Sequence, residues 1–153
     1  MSNCFDIQEV SWLTHEVALT AIRKQVFIVE QRVPLALELD GLDQAAVHLL
    51  AFSHQTEPIG CARLLGDGSV GRMAVLKSWR GLGAGTELLK AAIAHYKQKN
   101  ILPITLSAQT HAIPFYQKAG FVVSSEPYLD AGIMHVDMQL RMDTQSYPGN
   151  NPD

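Results

Sequence analysis

The six residues Arg80-Gly81-Leu82-Gly83-Ala84-Gly85 stand between a strand-like run and a helix-like run. Glycines this dense let a backbone approach a ligand closely. The start of a helix adds unpaired N–H groups, backed by about half a positive charge of macrodipole. Phosphate or diphosphate is the guest that suits this chemistry, and Arg80 supplies a fixed charge with forked donors. Two familiar phosphate motifs do not fit. The spacing is G-x-G-x-G after several strands, not the dinucleotide G-x-G-x-x-G, and Thr86-Glu87 follows Gly85 where a nucleotide P-loop needs Gly-Lys-Ser/Thr. The plainer alternative is a tight strand-to-helix turn that holds nothing.

Other reactive side chains are sparser. Glu38, Asp40 and Asp43 lie in a stretch, 35–43, that contains no base. It reads as a loop or irregular helix, either solvated or able to steer a cationic substrate. Cys61 sits in a strand-like run with nothing cationic beside it, so strand packing is its expected role. The six histidines have no metal-ligand spacing and no Cys-x-x-Cys is present, so no metal site is expected.

The elements that must position these groups follow from period and turn residues. Phe5 to Val10 is a strand, and Thr14 can cap a helix whose Leu19, Ile22, Val26 and Val29 form one apolar stripe. Val47 to Ser53 and Ile59 to Leu65 read as a hairpin, and Gly66-Asp67-Gly68-Ser69 turns into a strand over 70–76. Leu88, Leu89, Ala92 and Ile93 mark a helix after the glycines. A strand at 104–108, a short helix at 113–119 stopped by Gly120, and strands at 121–124 and 133–141 complete the order. The result is an α/β (α+β) domain around a mixed, mostly antiparallel sheet, with a parallel pair demanded by the strand–helix–strand unit over 70–108.

Composition bounds the class. The chain has 153 residues, 47% hydrophobic and 18% charged, which suits one domain over 1–142 and a polar tail, 143–153, expected to be disordered. A formal charge of -3 argues against bulk nucleic-acid binding. No apolar run approaches the roughly 20 residues that span a bilayer, and no signal peptide is evident, so a cytoplasmic protein without membrane partners is expected.

Arg80-x-x-Gly83-x-Gly85 before a helix resembles the acyl-CoA motif of the GNAT acetyltransferase superfamily, Q/R-x-x-G-x-G/A. Some 30 residues on, Ala112-Ile-Pro-Phe115-Tyr116-Gln-Lys-Ala-Gly120-Phe121 resembles its second motif, and the element order matches over residues 5–141. Val26-Phe27-Ile-Val-Glu30-Gln31-x-Val33-Pro34, with Asp40 and Asp43, further resembles the ElaA-like branch of small bacterial members.

The resemblance implies acetyl transfer from acetyl-CoA to a primary amine, by direct attack. It places the diphosphate on Arg80 and on backbone amides of the turn, Gly81, Leu82, Gly83, Ala84, Gly85 and Thr86. The pantetheine arm would run along Met73, Ala74 and Val75, between central parallel strands that splay apart. Tyr116 matches the tyrosine that protonates the departing sulfur, with an amphipathic core position as the alternative. Glu30 is a candidate base or acceptor contact, with a solvated glutamate as the alternative, and His135 a second candidate base, with an ordinary strand histidine as the plainer reading. Asp40 and Arg72 are candidate acceptor contacts, although Arg72 could hold a CoA group or simply pair with an acid. A non-catalytic acyl-CoA-binding or sensing module, and acetylation of a protein amine, remain open alternatives. A homodimer is the default expectation for such chains.

Overall fold

The computed structural model describes residues 5–141; the expected domain boundary at 142 and the tail 143–153 lie outside the described residues. Strand β1 (Asp6–Val10) leads into helix α1 (Trp12–Arg23), which continues as a π-helix over Lys24–Glu30. A single-turn helix α2 (Leu35–Glu38) precedes β2 (Val47–Phe52), β3 (Pro58–Leu64) and β4 (Ser69–Val75). Helix α3 (Ala84–Gln98), β5 (Thr105–Gln109), α4 (Ile113–Lys118), β6 (Phe121–Val123), β7 (Tyr128–Asp130) and β8 (Ile133–Leu140) follow.

The strands form one sheet in the order β1-β2-β3-β4-β5-β8-β6, with β7 also pairing β8. Every pairing is antiparallel except β4–β5. That parallel pair is short: Ser69 faces Thr105 and Val70 faces Leu106, and no further rung forms. On the other side of β4, Arg63 faces Gly71 and Cys61 faces Ala74, so β4 carries one extra residue there. This is a β-bulge, with Arg72 in the left-handed region at φ 47°. Bulge and lost rungs together turn the C-terminal half of β4 away from β5.

Alternation along β2 divides the core between the two faces. Leu49 and Ala51 pack with Leu88, Leu89, Ala92 and Tyr96 of α3, whereas Leu50 packs with Leu19, Ile22 and Val26 under α1. No helix among the described residues is long and apolar enough to cross a membrane.

Three local expectations need correction. Ser11, not Thr14, caps α1, accepting the Thr14 N–H at 3.2 Å. Val29 leaves the apolar stripe and is 53% exposed, because the helix widens to i→i+5 bonding, as in Gln31 N–H to Val26 C=O, and rotates later residues off the face. The acidic stretch, exposed at Asp40 and at its leucines, is not simply a solvated loop, because arginines brought by other elements pair its carboxylates. Glu38 and Asp43 are buried against Arg23, Arg63 and Arg72, which arrive from α1, β3 and β4. Strand β7 is an additional element, joined to β8 through Ala131 and Gly132, both at positive φ, the signature of a type I′ turn.

Candidate active site

The splayed β4–β5 pair opens a cleft composed of two adjoining cavities, about 490 Å³ and about 400 Å³, that share Met73, Ala74, Val75, Arg80 and Ala112. The larger cavity lies over the glycine turn and is lined by Gly81, Gly83, Ala84, Gly85 and Thr86, with Trp79 and Phe115. Leu82, in the same turn, is not among its lining residues; its side chain is 41% exposed.

Gly81 and Gly83 adopt φ 81° and 96°, a region disfavoured for residues with a Cβ. A Cβ built on either would meet no protein atom within 4 Å, so both glycines face open space where they line the cavity. The first α3 bond runs from Glu87 N–H to Gly83 C=O at 3.0 Å, which leaves the amides of Ala84, Gly85 and Thr86 ahead of the helical ladder. A Cβ on Gly85 would make ordinary van der Waals contact with Phe115, at 3.4 Å, so space alone does not demand glycine where α3 and α4 approach. An open cradle of free amides at a helix N-terminus fits a diphosphate.

Arg80 borders both cavities and is already oriented. Its Nε donates to Val75 C=O at 2.8 Å, and Nη1 and Nη2 donate to the two Glu30 carboxylate oxygens at 3.0 and 2.7 Å. The Arg80 hydrogen bonds hold the Glu30 carboxyl below its usual range. Glu30 does not line either cavity. The structure therefore places it as a partner of Arg80 rather than at the cleft wall.

The smaller cavity holds Tyr116, His135 and Arg72 together. Tyr116 projects from α4 with its hydroxyl 4.0 Å from Met73 Sδ, and its ring meets Phe115 and Phe121 edge-on. Burial pushes its phenol up to about 12, so it stays protonated at neutral pH. On β8, opposite Gln109, His135 is nearly buried and stacks on Tyr128 at 20° between planes. Its Nδ1 lies 2.7 Å from Ile133 C=O. A carbonyl only accepts, so Nδ1 carries the proton in the neutral ring and Nε2 keeps a lone pair.

Asp40 does not line the cleft; its carboxylate accepts from both Arg63 terminal nitrogens, at 2.8 and 2.7 Å, and these bonds hold its pKa far below normal. Cys61 is enclosed under α1, and burial pushes its thiol up to about 12, consistent with packing.

Several cleft residues were not singled out from sequence. Ser107 and Gln109 alternate with buried Leu106 and Ala108 on β5, so the period of two already points them to one face. Gln109 donates to Gln31 at 2.9 Å, and His111 Nε2 is 2.7 Å from Gln109 Oε1. The consecutive residues Glu30 and Gln31 thus reach Arg80, beyond β4, and Gln109, at the end of β5.

Comparison with known proteins agrees with this architecture. A family profile described as an acetyltransferase (GNAT) domain matches residues 14–142. A Bacillus subtilis protein named uncharacterized N-acetyltransferase YjcF is 37% identical over 121 residues, covering 76% of this chain and 86% of that protein. ElaA of Escherichia coli is 32% identical over 133 residues, covering 79% and 84%, and its crystal structure superposes with a TM-score of 0.80 over 90% of this chain and 100% of that one. The crystal structure of an acyl-CoA N-acyltransferase from Pseudomonas aeruginosa also gives 0.80, at 31% identity, with 90% and 100% covered. The open glycine cradle, the splayed strands and these relatives lead to one conclusion: this chain belongs to the GNAT acetyltransferase family, alongside ElaA and its small bacterial relatives.

Proposed function

We propose that this protein transfers the acetyl group of acetyl-CoA to the primary amine of a small molecule by direct attack. The observation that carries the reading is the continuity of the cleft from the glycine cradle to Tyr116 and His135. Acetyl-CoA supplies an activated thioester, and the residues of the chain supply binding and proton movement.

The amides of Ala84 to Thr86, with Arg80, bind the diphosphate, and the half of β4 at Met73 to Val75, which pairs β3 but not β5, aligns the pantetheine arm. An alkyl ammonium loses its proton before attack, which costs about 4 kcal/mol at neutral pH. His135 Nε2 has the lone pair for that task, whereas the Glu30 carboxylate is engaged by Arg80. Attack forms the new C–N bond, the C–S bond breaks, and Tyr116 donates its proton to the departing sulfur. A thiolate leaves readily, so this donation contributes about 10²-fold rather than more.

Release of free thiol from acetyl-CoA across a panel of small amines tests the reading. Turnover with at least one amine, reduced about 10²-fold or more by His135→Gln at unchanged acetyl-CoA affinity, is expected. A melting shift with acetyl-CoA but no thiol release with any amine would leave a binding module; turnover only with peptide amines would move the acceptor to protein.

A further inference from the structure

Of the three arginines around the acidic stretch, Arg23 and Arg63 are sealed at 2% and 4% exposure, while Arg72 is 24% exposed and lines the smaller cavity. The bulge puts it there: at φ 47° its side chain leaves the ordinary alternation of β4. One edge of the guanidinium is fixed. Nη2 donates to Glu38 C=O at 2.8 Å and Asp40 Oδ2 at 3.1 Å, and Nε lies 3.4 Å from Glu38 Oε2. Nη1 makes no hydrogen bond among the described residues. Glu38, the nearest cavity carboxylate, accepts from Arg23 Nε at 2.6 Å. Asp130, the last residue of β7, is the lining carboxylate with no arginine partner among the described residues.

We infer that the acceptor carries a carboxylate besides its reacting amine, an amino acid in the broad sense, and that Arg72 Nη1 binds that carboxylate. This rests on the proposed amine acetylation and specifies its substrate. Apart from Arg80, which Glu30 holds and which faces the glycine cradle's cavity as well, the smaller cavity offers Arg72 and Asp130 as groups of opposite sign, with neutral polar walls at Ser107 and Gln109. Such a cavity suits a molecule that arrives as a zwitterion. The guanidinium is held in place before the ligand arrives, so little side-chain ordering remains to oppose binding.

The test compares β- and γ-amino acids with their primary carboxamides, which keep the shape and lose the charge, by kcat/KM at saturating acetyl-CoA. The acids are expected to exceed the amides by roughly tenfold, the difference between a charged and a neutral hydrogen-bond acceptor. Arg72→Gln should bring the ratio near one and Arg72→Lys should keep part of it. Amine basicity cancels between wild type and variant, and a merely structural role would lower both series together. Amides used as well as acids by the wild type, or a ratio that survives in Arg72→Gln, would overturn the inference and leave amine acetylation standing. If Arg72→Gln does not fold, the wild-type ratio and Arg72→Lys still decide. Silence from both series, with acetyl-CoA still raising the melting temperature, would overturn the transfer reading and this inference with it.

Discussion

The Glu30 carboxylate and the Arg80 guanidinium meet at two points, 2.7 and 3.0 Å, so the last residue of the π-helix grips the first residue of the glycine turn. The pair is partly exposed and contributes under about 1 kcal/mol to stability. It also fixes Arg80 at the border of both cavities and occupies both oxygens of the Glu30 carboxylate. Glu30→Gln is therefore expected to change KM for acetyl-CoA more than kcat, with kcat within about tenfold of wild type. Steady-state kinetics check this; a 10²-fold fall in kcat at constant KM would return Glu30 to the role of base.

Tyr116→Phe keeps the ring contacts with Phe115 and Phe121 and removes only the hydroxyl. It should bind acetyl-CoA as wild type does and turn over about 10²-fold more slowly. Because burial holds the phenol near 12, no loss of activity from its ionisation is expected up to about pH 10. Unchanged turnover would remove the tyrosine from the reaction.

Gly83 and Gly41 make a controlled comparison. Both have positive φ, 96° and 81°, and a Cβ on either meets nothing within 4 Å. Replacing each by alanine should cost a similar 1–2 kcal/mol or so of backbone strain, read by thermal unfolding. Only Gly83→Ala should also weaken acetyl-CoA binding, read by calorimetry, since only Gly83 lines the cleft.

Gly68→Ala meets a harder obstacle. At φ 95°, its Cβ would collide with the Pro103 carbonyl oxygen, while the Gly68 carbonyl accepts the Thr105 N–H beside the two parallel rungs. Destabilisation of about 2–4 kcal/mol is expected in denaturant titration.

Acid stability should fall in two stages. Burial lowers the pKa of His48, so the fold favours its neutral form; stability is lost as pH falls below the unfolded value near 6.5. Burial alone would raise the Asp43 pKa, but hydrogen bonds and charge from Arg23 and Arg63 bring it below normal, and Asp40 is lowered by Arg63. Their contribution is present above about pH 4 and is lost as pH falls through the depressed folded values. Melting temperature against pH checks the profile, and Asp43→Asn should flatten the lower limb.

Much of this architecture was legible because local rules agreed with the final packing. The glycine turn announced itself through residues that tolerate positive φ, and the strand–helix–strand unit required the parallel pair. The α1 stripe read correctly through Val26 and failed at Val29, where the π-helix changed the period. The acidic stretch was misread because its partners, Arg23, Arg63 and Arg72, stand 15 to 34 positions away for the hydrogen bonds of Glu38 and Asp43 to them and of Arg72 to Glu38. Local composition holds no trace of such pairings. The β7–β8 hairpin hid behind Ala131-Gly132, which lacks the Asn-Gly or Asp-Gly usual in its turn. Ser107 and Gln109 were readable from alternation once the splayed strands defined which face mattered.

The opening between β4 and β5 is made by main chain: two rungs, a bulge, and then divergence. Exchanging side chains along its walls leaves the gap itself in place. Descendants of such a chain can therefore trade one acceptor for another through a few wall positions while the thioester stays seated, and this separates the inheritance of chemistry from the inheritance of substrate.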